Sequence, residues 1–262
     1  MFSPQSSLSP WLIRPCARPA ARIRLLCFPR AGGGAAAFRG WAEDCDPEIE
    51  VVLVQPPGRE NRLREEPVTS MQTMAAAIAD ALAELPERPC AFFGHSLGAK
   101  VAFETARELR RRGQPEPLHL FAAASAGPGV TWNHPLLHLL GDAELLAEVQ
   151  RRYGGVPQEV LADAELCALL TPVLRADLTV VETYRCADEL PLTTPITCFC
   201  GADDGMTPIA EASEWRRHTA SEFQLHRLPG DHFFPVQARA RIPDRIAAAL
   251  QCGQLWAATE SV

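Results

Sequence analysis

Short apolar runs alternate with helical patterns over the first half of the chain. Residues 23–28 read as a strand, and residues 50–54 form a near-continuous β-branched run of the kind buried on both faces of a parallel sheet. Between them, residues 35–45 read as a short helix with Phe38 and Trp41 at i, i+3. Residues 70–85 are helical in pattern: Met71, Met74, Ile78 and Leu82 share one face, with Ser70 as N-cap. A short apolar run over 90–93 leads through Gly94-His95-Ser96-Leu97-Gly98 into a helix over 99–112 that stops at Gly113, with Phe103, Ala106 and Leu109 turned inward. Residues 118–124 form another apolar strand. This alternation predicts an α/β fold built on a mostly parallel, doubly wound sheet.

The rhythm stops at Val130. From there to about residue 190 the pattern is helical: Leu161, Leu166, Leu169, Leu170, Val173, Leu174, Leu178 and Val181 recur at three- and four-residue spacing. Pro172 interrupts them, so two short helices or one kinked helix are expected. Such an insertion either covers the strand ends as a lid or extends the core. The sheet resumes with strands at 196–200 and 222–228, separated by a helix at 208–218, and a closing helix spans 236–250. The expected organisation is one domain over residues 23–250 with a helical lid at about 130–190, a loose leader at 1–22 and a tail at 251–262.

Composition narrows the function classes. The chain has 262 residues and a net charge of −7, with no long basic tract, which argues against nucleic-acid binding. No apolar run is long enough to span a bilayer, and the Ser/Pro-rich start lacks the features of a signal peptide, so a cytoplasmic location is expected. The nine cysteines form no paired C-x-x-C sets, and no metal site is expected; Cys198 and Cys200 fall on one face of a strand as small buried hydrophobes. Lys100 is the single lysine and reads as a coding bias rather than a site. Arg107, Arg110, Arg111 and Arg112 read as a solvated face.

The stretch that carries chemistry is G-x-S-x-G between a strand and a helix. A serine on so sharp a turn exposes its hydroxyl, and side chains two residues to either side would collide, so glycine stands at 94 and 98. A serine hydroxyl needs a base, and the base needs an orienting carboxylate. On this type of elbow the order is serine, acid, histidine. Among seven histidines only His232 lies on a loop after the last strand and before the closing helix. Asp203 and Asp204 both follow the strand at 196–200, and Asp204, further out on the loop, is the favoured acid. The glycine run at 32–34 lacks both nucleotide-binding fingerprints; in a serine hydrolase such a loop brings a backbone N–H to the reacting carbonyl oxygen. The oxyanion hole would use the N–H groups of Leu97 and Ala31.

With these residues in place, the chain resembles the type II thioesterases that accompany polyketide and non-ribosomal peptide synthetases, on the α/β-hydrolase fold. The resemblance runs from about residue 25 to 250. It includes Phe-Pro-Arg-Ala-Gly-Gly-Gly (28–34), Gln-Pro-Pro-Gly-Arg-Glu (55–60), Phe-Gly-His-Ser-Leu-Gly-Ala (93–99), Leu-Arg-Ala-Asp (174–177), Gly-Ala-Asp-Asp (201–204) and Gly-Asp-His-Phe-Phe (230–234). Arg30 departs from a family that often carries histidine there. The resemblance implies a monomeric enzyme without a cofactor of its own. Such an enzyme acts in trans on stalled or misprimed acyl groups, held on the phosphopantetheine of acyl or peptidyl carrier proteins, its transient partners. Arg59, Arg62 and Arg64, or Arg107 with Arg110 to Arg112, are candidate docking patches for acidic carriers. A general carboxylesterase, an acyltransferase and a non-catalytic binding protein on the same fold are the competing readings.

Overall fold

The computed structural model describes residues 9–156, 158–237 and 241–252. Its elements are β1 (Leu12–Ile13), β2 (Ile23–Phe28), α1 (Trp41–Asp44), β3 (Ile49–Val54), α2 (Met71–Ala83), β4 (Cys90–His95), α3 (Leu97–Arg111) and β5 (Leu120–Ala123). Then follow α4 (Asp142–Tyr153), α5 (Gln158–Leu161), α6 (Ala164–Thr183), β6 (Ile196–Gly201), α7 (Ile209–Ser213), β7 (Phe223–Leu228), α8 (Phe234–Gln237) and α9 (Arg241–Cys252). The strands form one sheet in the order β1-β3-β2-β4-β5-β6-β7, parallel except for β1.

Alternation along each strand divides the core into two layers. Leu26, Phe28, Val52 and Phe92 face α2 and α3, where Met74, Ile78 and Phe103 close the layer. Leu25, Cys27, Val51 and Phe93 face the other side, against Phe38, Trp41, Ile242 and Ile246. Both layers bury the strands on two faces, which is why β2, β3, β5 and β6 read as predominantly apolar runs, the buried charges Arg24 and Glu50 pairing with each other.

The chain steps from β2 outward to β3, then returns to β4 on the other side of β2. Strand order reverses there, and a crevice opens beyond the carboxyl ends of neighbouring strands. The glycine loop after β2 and the serine turn after β4 are therefore side by side, with Phe28 paired to Gly94.

Three expectations change. The segment expected to be a loose leader carries β1, whose Leu12 and Ile13 pair with Val54 and Leu53, and Leu12 is buried. The Arg18 guanidinium also donates to the carbonyls of Cys45, Asp46 and Ile49, tying residues 9–22 to the body; residues 1–8 and the tail from 253 lie outside the described residues. The helix expected over 35–45 is a 3₁₀ turn (Ala35–Phe38) and then α1, divided at Gly40, whose φ of 83° no continuous helix holds. Of the two alternatives at Pro172, two separate helices are excluded: it sits on the exposed side of one 20-residue helix, capped at its start by the Asp163 carboxylate.

The insertion has its own small core, with Leu137, Leu145 and Val149 packed against Leu174 and Leu178 of α6. Buried Glu182 holds it together by accepting from the N–H groups of Leu137 and His138 and pairing with the His138 ring at 2.5 Å. Among the described residues no helix is long and apolar enough to cross a membrane.

Candidate active site

Ser96 stands between β4 and α3 with φ 56° and ψ −117°, a strained conformation for a residue with a Cβ. The turn closes so tightly that a Cβ on Gly98 would stand 2.2 Å from the Phe28 carbonyl oxygen, and one on Gly94 would stand 2.4 Å from the Ala99 backbone. The steric requirement inferred for both glycines is thus met by named neighbours. Ser96 N–H donates to the Ala123 carbonyl at 2.8 Å, which fastens the turn to β5.

His232 lies between β7 and α8. Its Nε2 is 3.0 Å from Ser96 Oγ and its Nδ1 is 2.9 Å from Asp204 Oδ2, so one imidazole links hydroxyl and carboxylate. Asp204 is buried while Asp203 is exposed, which decides between the two adjacent acids. The other Asp204 oxygen accepts from the Met206 N–H at 2.9 Å. Burial by itself would raise the Asp204 carboxyl, but hydrogen bonds from His232, Met206 and Thr207 hold it below the ordinary carboxylate range. The carboxylate therefore stays ionised and keeps the Nδ1 proton, leaving Nε2 as an acceptor toward the serine.

Ala31 and Leu97 both line a cavity of about 260 Å³ with Ser96 and His232. Among the described residues neither backbone N–H donates to a protein acceptor. Arg30, the departure in the loop, donates from its guanidinium to the Ala31 carbonyl at 3.0 Å and lies 4.8 Å over the Phe233 ring. It therefore braces the loop from within, and burial lowers its pKa from the usual arginine value. The far walls of the cavity are Leu170, Leu174, Leu178 and Val181 of α6, with Val149 and Tyr153 of α4. One stripe of α6 thus packs into the insertion core while the same helix walls the cavity.

Several site residues escaped the sequence reading. Asp177 of α6 is 1% exposed and receives two hydrogen bonds from Arg59, at 2.5 and 3.0 Å, and one from the Gly32 N–H at 2.7 Å. Arg59 also donates to the Gly33 carbonyl at 3.0 Å. Gln55 accepts from Ala35 N–H and donates to the Arg59 carbonyl. Three motif blocks, at 28–34, 55–60 and 174–177, thereby join into one network behind the glycine loop. Their only signal in sequence was membership of those blocks; nothing local gives the pairing.

The same geometry removes Arg59, Arg62 and Arg107 from the candidate docking patches and leaves Arg64, Arg111 and Arg112 exposed. Arg59 and Arg62 are interior, Arg62 being spent on the Gln55 carbonyl and Glu65. Arg107 is 2% exposed and pairs with Glu104 and Glu189, both at 2.8 Å, so it is no part of a solvated face. Arg110, Arg111 and Arg112 are paired with Glu189, Glu108 and Asp80. His95, beside Ser96 on the turn, is buried and held neutral, and it meets the His232 carbonyl oxygen through Nε2 at 2.9 Å.

Residues 23–250 match the thioesterase domain family. The chain is 38% identical over 234 residues to the gramicidin S biosynthesis protein GrsT of Aneurinibacillus migulanus, covering 89% of this chain and 91% of that one. The thioesterase RedJ from the prodiginine biosynthetic pathway in Streptomyces coelicolor superposes with a TM-score of 0.82 at 40% identity, covering 94% of this chain and 91% of RedJ. The type II thioesterase BorB from the borrelidin biosynthetic cluster superposes with a TM-score of 0.82 at 32% identity, covering 94% and 98%. Similarity that runs almost end to end in both sequence and structure, over a fold whose strand order reverses at the serine turn, leads to one conclusion: the chain belongs to the thioesterase domain family and is a thioester hydrolase of the α/β-hydrolase fold.

Proposed function

We propose that this enzyme hydrolyses stalled or misprimed acyl groups from the phosphopantetheine arm of acyl or peptidyl carrier proteins, in trans, in polyketide or non-ribosomal peptide biosynthesis. The observation that carries this reading is the Asp204–His232–Ser96 hydrogen-bond chain at the mouth of a largely apolar cavity, in a chain related to proteins of such pathways.

His232 Nε2 takes the Ser96 proton as Oγ attacks the thioester carbonyl. The oxyanion is met by the N–H groups of Leu97 and Ala31. Collapse breaks the C–S bond, the sulfur leaves as the thiol with the His232 proton, and Ser96 holds the acyl group as an ester. Water then gives a proton to His232 and its oxygen to the acyl carbon, releasing the acid and restoring Ser96. Asp204 remains ionised throughout. The route calls on no cofactor of the enzyme itself, because the phosphopantetheine belongs to the carrier. The same reading makes the enzyme a cytoplasmic monomer that meets its carriers transiently, through exposed cations other than the interior arginines.

A panel of carrier-loaded acyl groups, from acetyl to aminoacyl and longer chains, tests the proposal against simple esters of the same acids. Carrier thioesters should be turned over with the higher kcat/KM. Equal or greater efficiency on the plain esters would make the enzyme a general esterase instead.

A further inference from the structure

A second, smaller cavity of about 70 Å³ opens on the other side of the nucleophile. It shares Ser96, Leu97, Trp132, Tyr153, Val181 and His232 with the larger cavity, so the two meet at the reacting serine. Their characters differ. The larger is walled by aliphatic side chains of α4 and α6. The smaller carries Lys100, Ser125, Thr207, Glu211 and Asn133.

Lys100, the only lysine in the sequence, lies on the first turn of α3 and is 7% exposed. Among the described residues its ammonium has no hydrogen bond or ion pair; it lies 5.8 Å from the centroid of the Tyr184 ring. Burial lowers it to about 8, with Cys186 and Glu211 opposing the shift, so it is still mostly charged at neutral pH. A largely buried lysine whose ammonium opens onto a cavity without a protein acceptor is costly to the fold. A position this close to the nucleophile gives the cost a use.

We propose that Lys100 binds the thiol side of the substrate, donating from its ammonium to the carbonyl oxygen of the first amide beyond the sulfur, with the smaller cavity as the subsite for that amide. The inference rests on the thioester reading above. A carrier thioester presents an acyl chain on one side of the carbonyl and sulfur, two methylenes and an amide on the other. The aliphatic cavity suits the chain. The polar one offers a donor for the amide oxygen in Lys100 and acceptors for the amide N–H in Glu211, Ser125 and Thr207. An amide is neutral, which suits a site where Glu211 already faces the cation. Binding energy from this remote, unreacting group then positions the carbonyl over Ser96.

The experiment compares two butyryl thioesters, one of N-acetylcysteamine, which carries the amide, and one of 1-propanethiol, which does not. The wild-type enzyme should favour the amide-bearing substrate, and Lys100→Met should cut the ratio of their kcat/KM values about tenfold, mainly through KM. Lys100→Gln keeps a donor and should restore part of the ratio. Both variants remove a buried unpaired charge, so thermal melting at or above the wild-type temperature is expected. A ratio that holds in Lys100→Met, or an equal loss on both substrates, overturns the proposal. A wild-type enzyme that hydrolyses neither thioester refutes the substrate reading itself, and the inference falls with it.

Discussion

The two loops that meet at the carbonyl site are shaped by different means. The serine turn after β4 is held by close backbone packing: a Cβ on Gly94 would stand 2.4 Å from Ala99 within the turn, and one on Gly98 would stand 2.2 Å from the Phe28 carbonyl oxygen of neighbouring β2. The glycine loop after β2 is held from a distance. Its Gly32 N–H is fixed by Asp177, 145 residues further on, and its Gly33 carbonyl by Arg59. One half of the proposed oxyanion site thus rests on the turn and the adjoining sheet strands, while the other depends on α6 being in place. Damage to the lid should reach the chemistry through Asp177, even though Asp177 touches no substrate.

The largest expected effect is on the local side. Ser96→Ala should lower hydrolysis by a factor on the order of 10⁴ or more with the fold intact by circular dichroism. Turnover retained in that variant would remove the serine from the mechanism altogether. Next, Gly98→Ala should force the turn away from Phe28 and cost about 3 kcal/mol or more, read from urea unfolding. A variant as stable as wild type would show the turn to be less constrained than its contacts imply.

The distant side is tested by Asp177→Ala, which leaves Arg59 buried and unpaired. A stability loss of about 3–5 kcal/mol is expected, with kcat falling roughly 10- to 100-fold and KM changing less. If stability falls but kcat holds, the network supports only the fold and the comparison between the loops loses its functional half. His95→Phe is a milder probe of the serine-turn side. It removes the hydrogen bond to the His232 carbonyl and should reduce kcat about tenfold, with little change in KM; an unchanged kcat would show that the His232 backbone is held well enough by other contacts.

The smallest effect is a pH slope. Burial lowers His95 to about 3 and His119 to about 4, against an ordinary value of 6.5. Both are neutral in the folded protein, so below pH 6.5 the unfolded chain takes up protons that the folded one refuses. Their contribution is complete above that value and is lost as pH falls toward 4. Unfolding free energy should therefore drop by about 1.4 kcal/mol per pH unit for each histidine over that window. The slope should shrink by about 1.4 kcal/mol per pH unit in His119→Phe, as measured by urea titrations at pH 7, 6 and 5.

Much of this molecule was legible because its determinants are local. Strands β2 to β6 announced themselves as apolar runs, Ser70 caps α2 as its spacing predicts, and the serine turn carries its glycines where sterics demand them. Errors fall where a residue's partner is remote. Arg59 and Arg107 look like surface cations until Asp177 and Glu189 arrive from beyond residue 170. Residues 9–22 look loose because their anchors are the edge of β3 and carbonyls near α1. Pro172 looks like a breaker, yet it lies on the outer side of a helix whose inner side is packed.

By itself the sequence determined the strand order of the chemistry: a serine on a sharp turn, an acid after the next-to-last strand and a histidine after the last. It did so because turn sterics and strand patterning act over a few residues. Tertiary structure showed Asp204, the acid favoured by its loop position, meeting His232, and it alone decided that Asp177 and Arg59 brace the glycine loop and that the single lysine lies unpaired beside Ser96. Each of these depends on which side chains share a buried space, and burial sets the energy of a charge only once the distant walls of that space are in place.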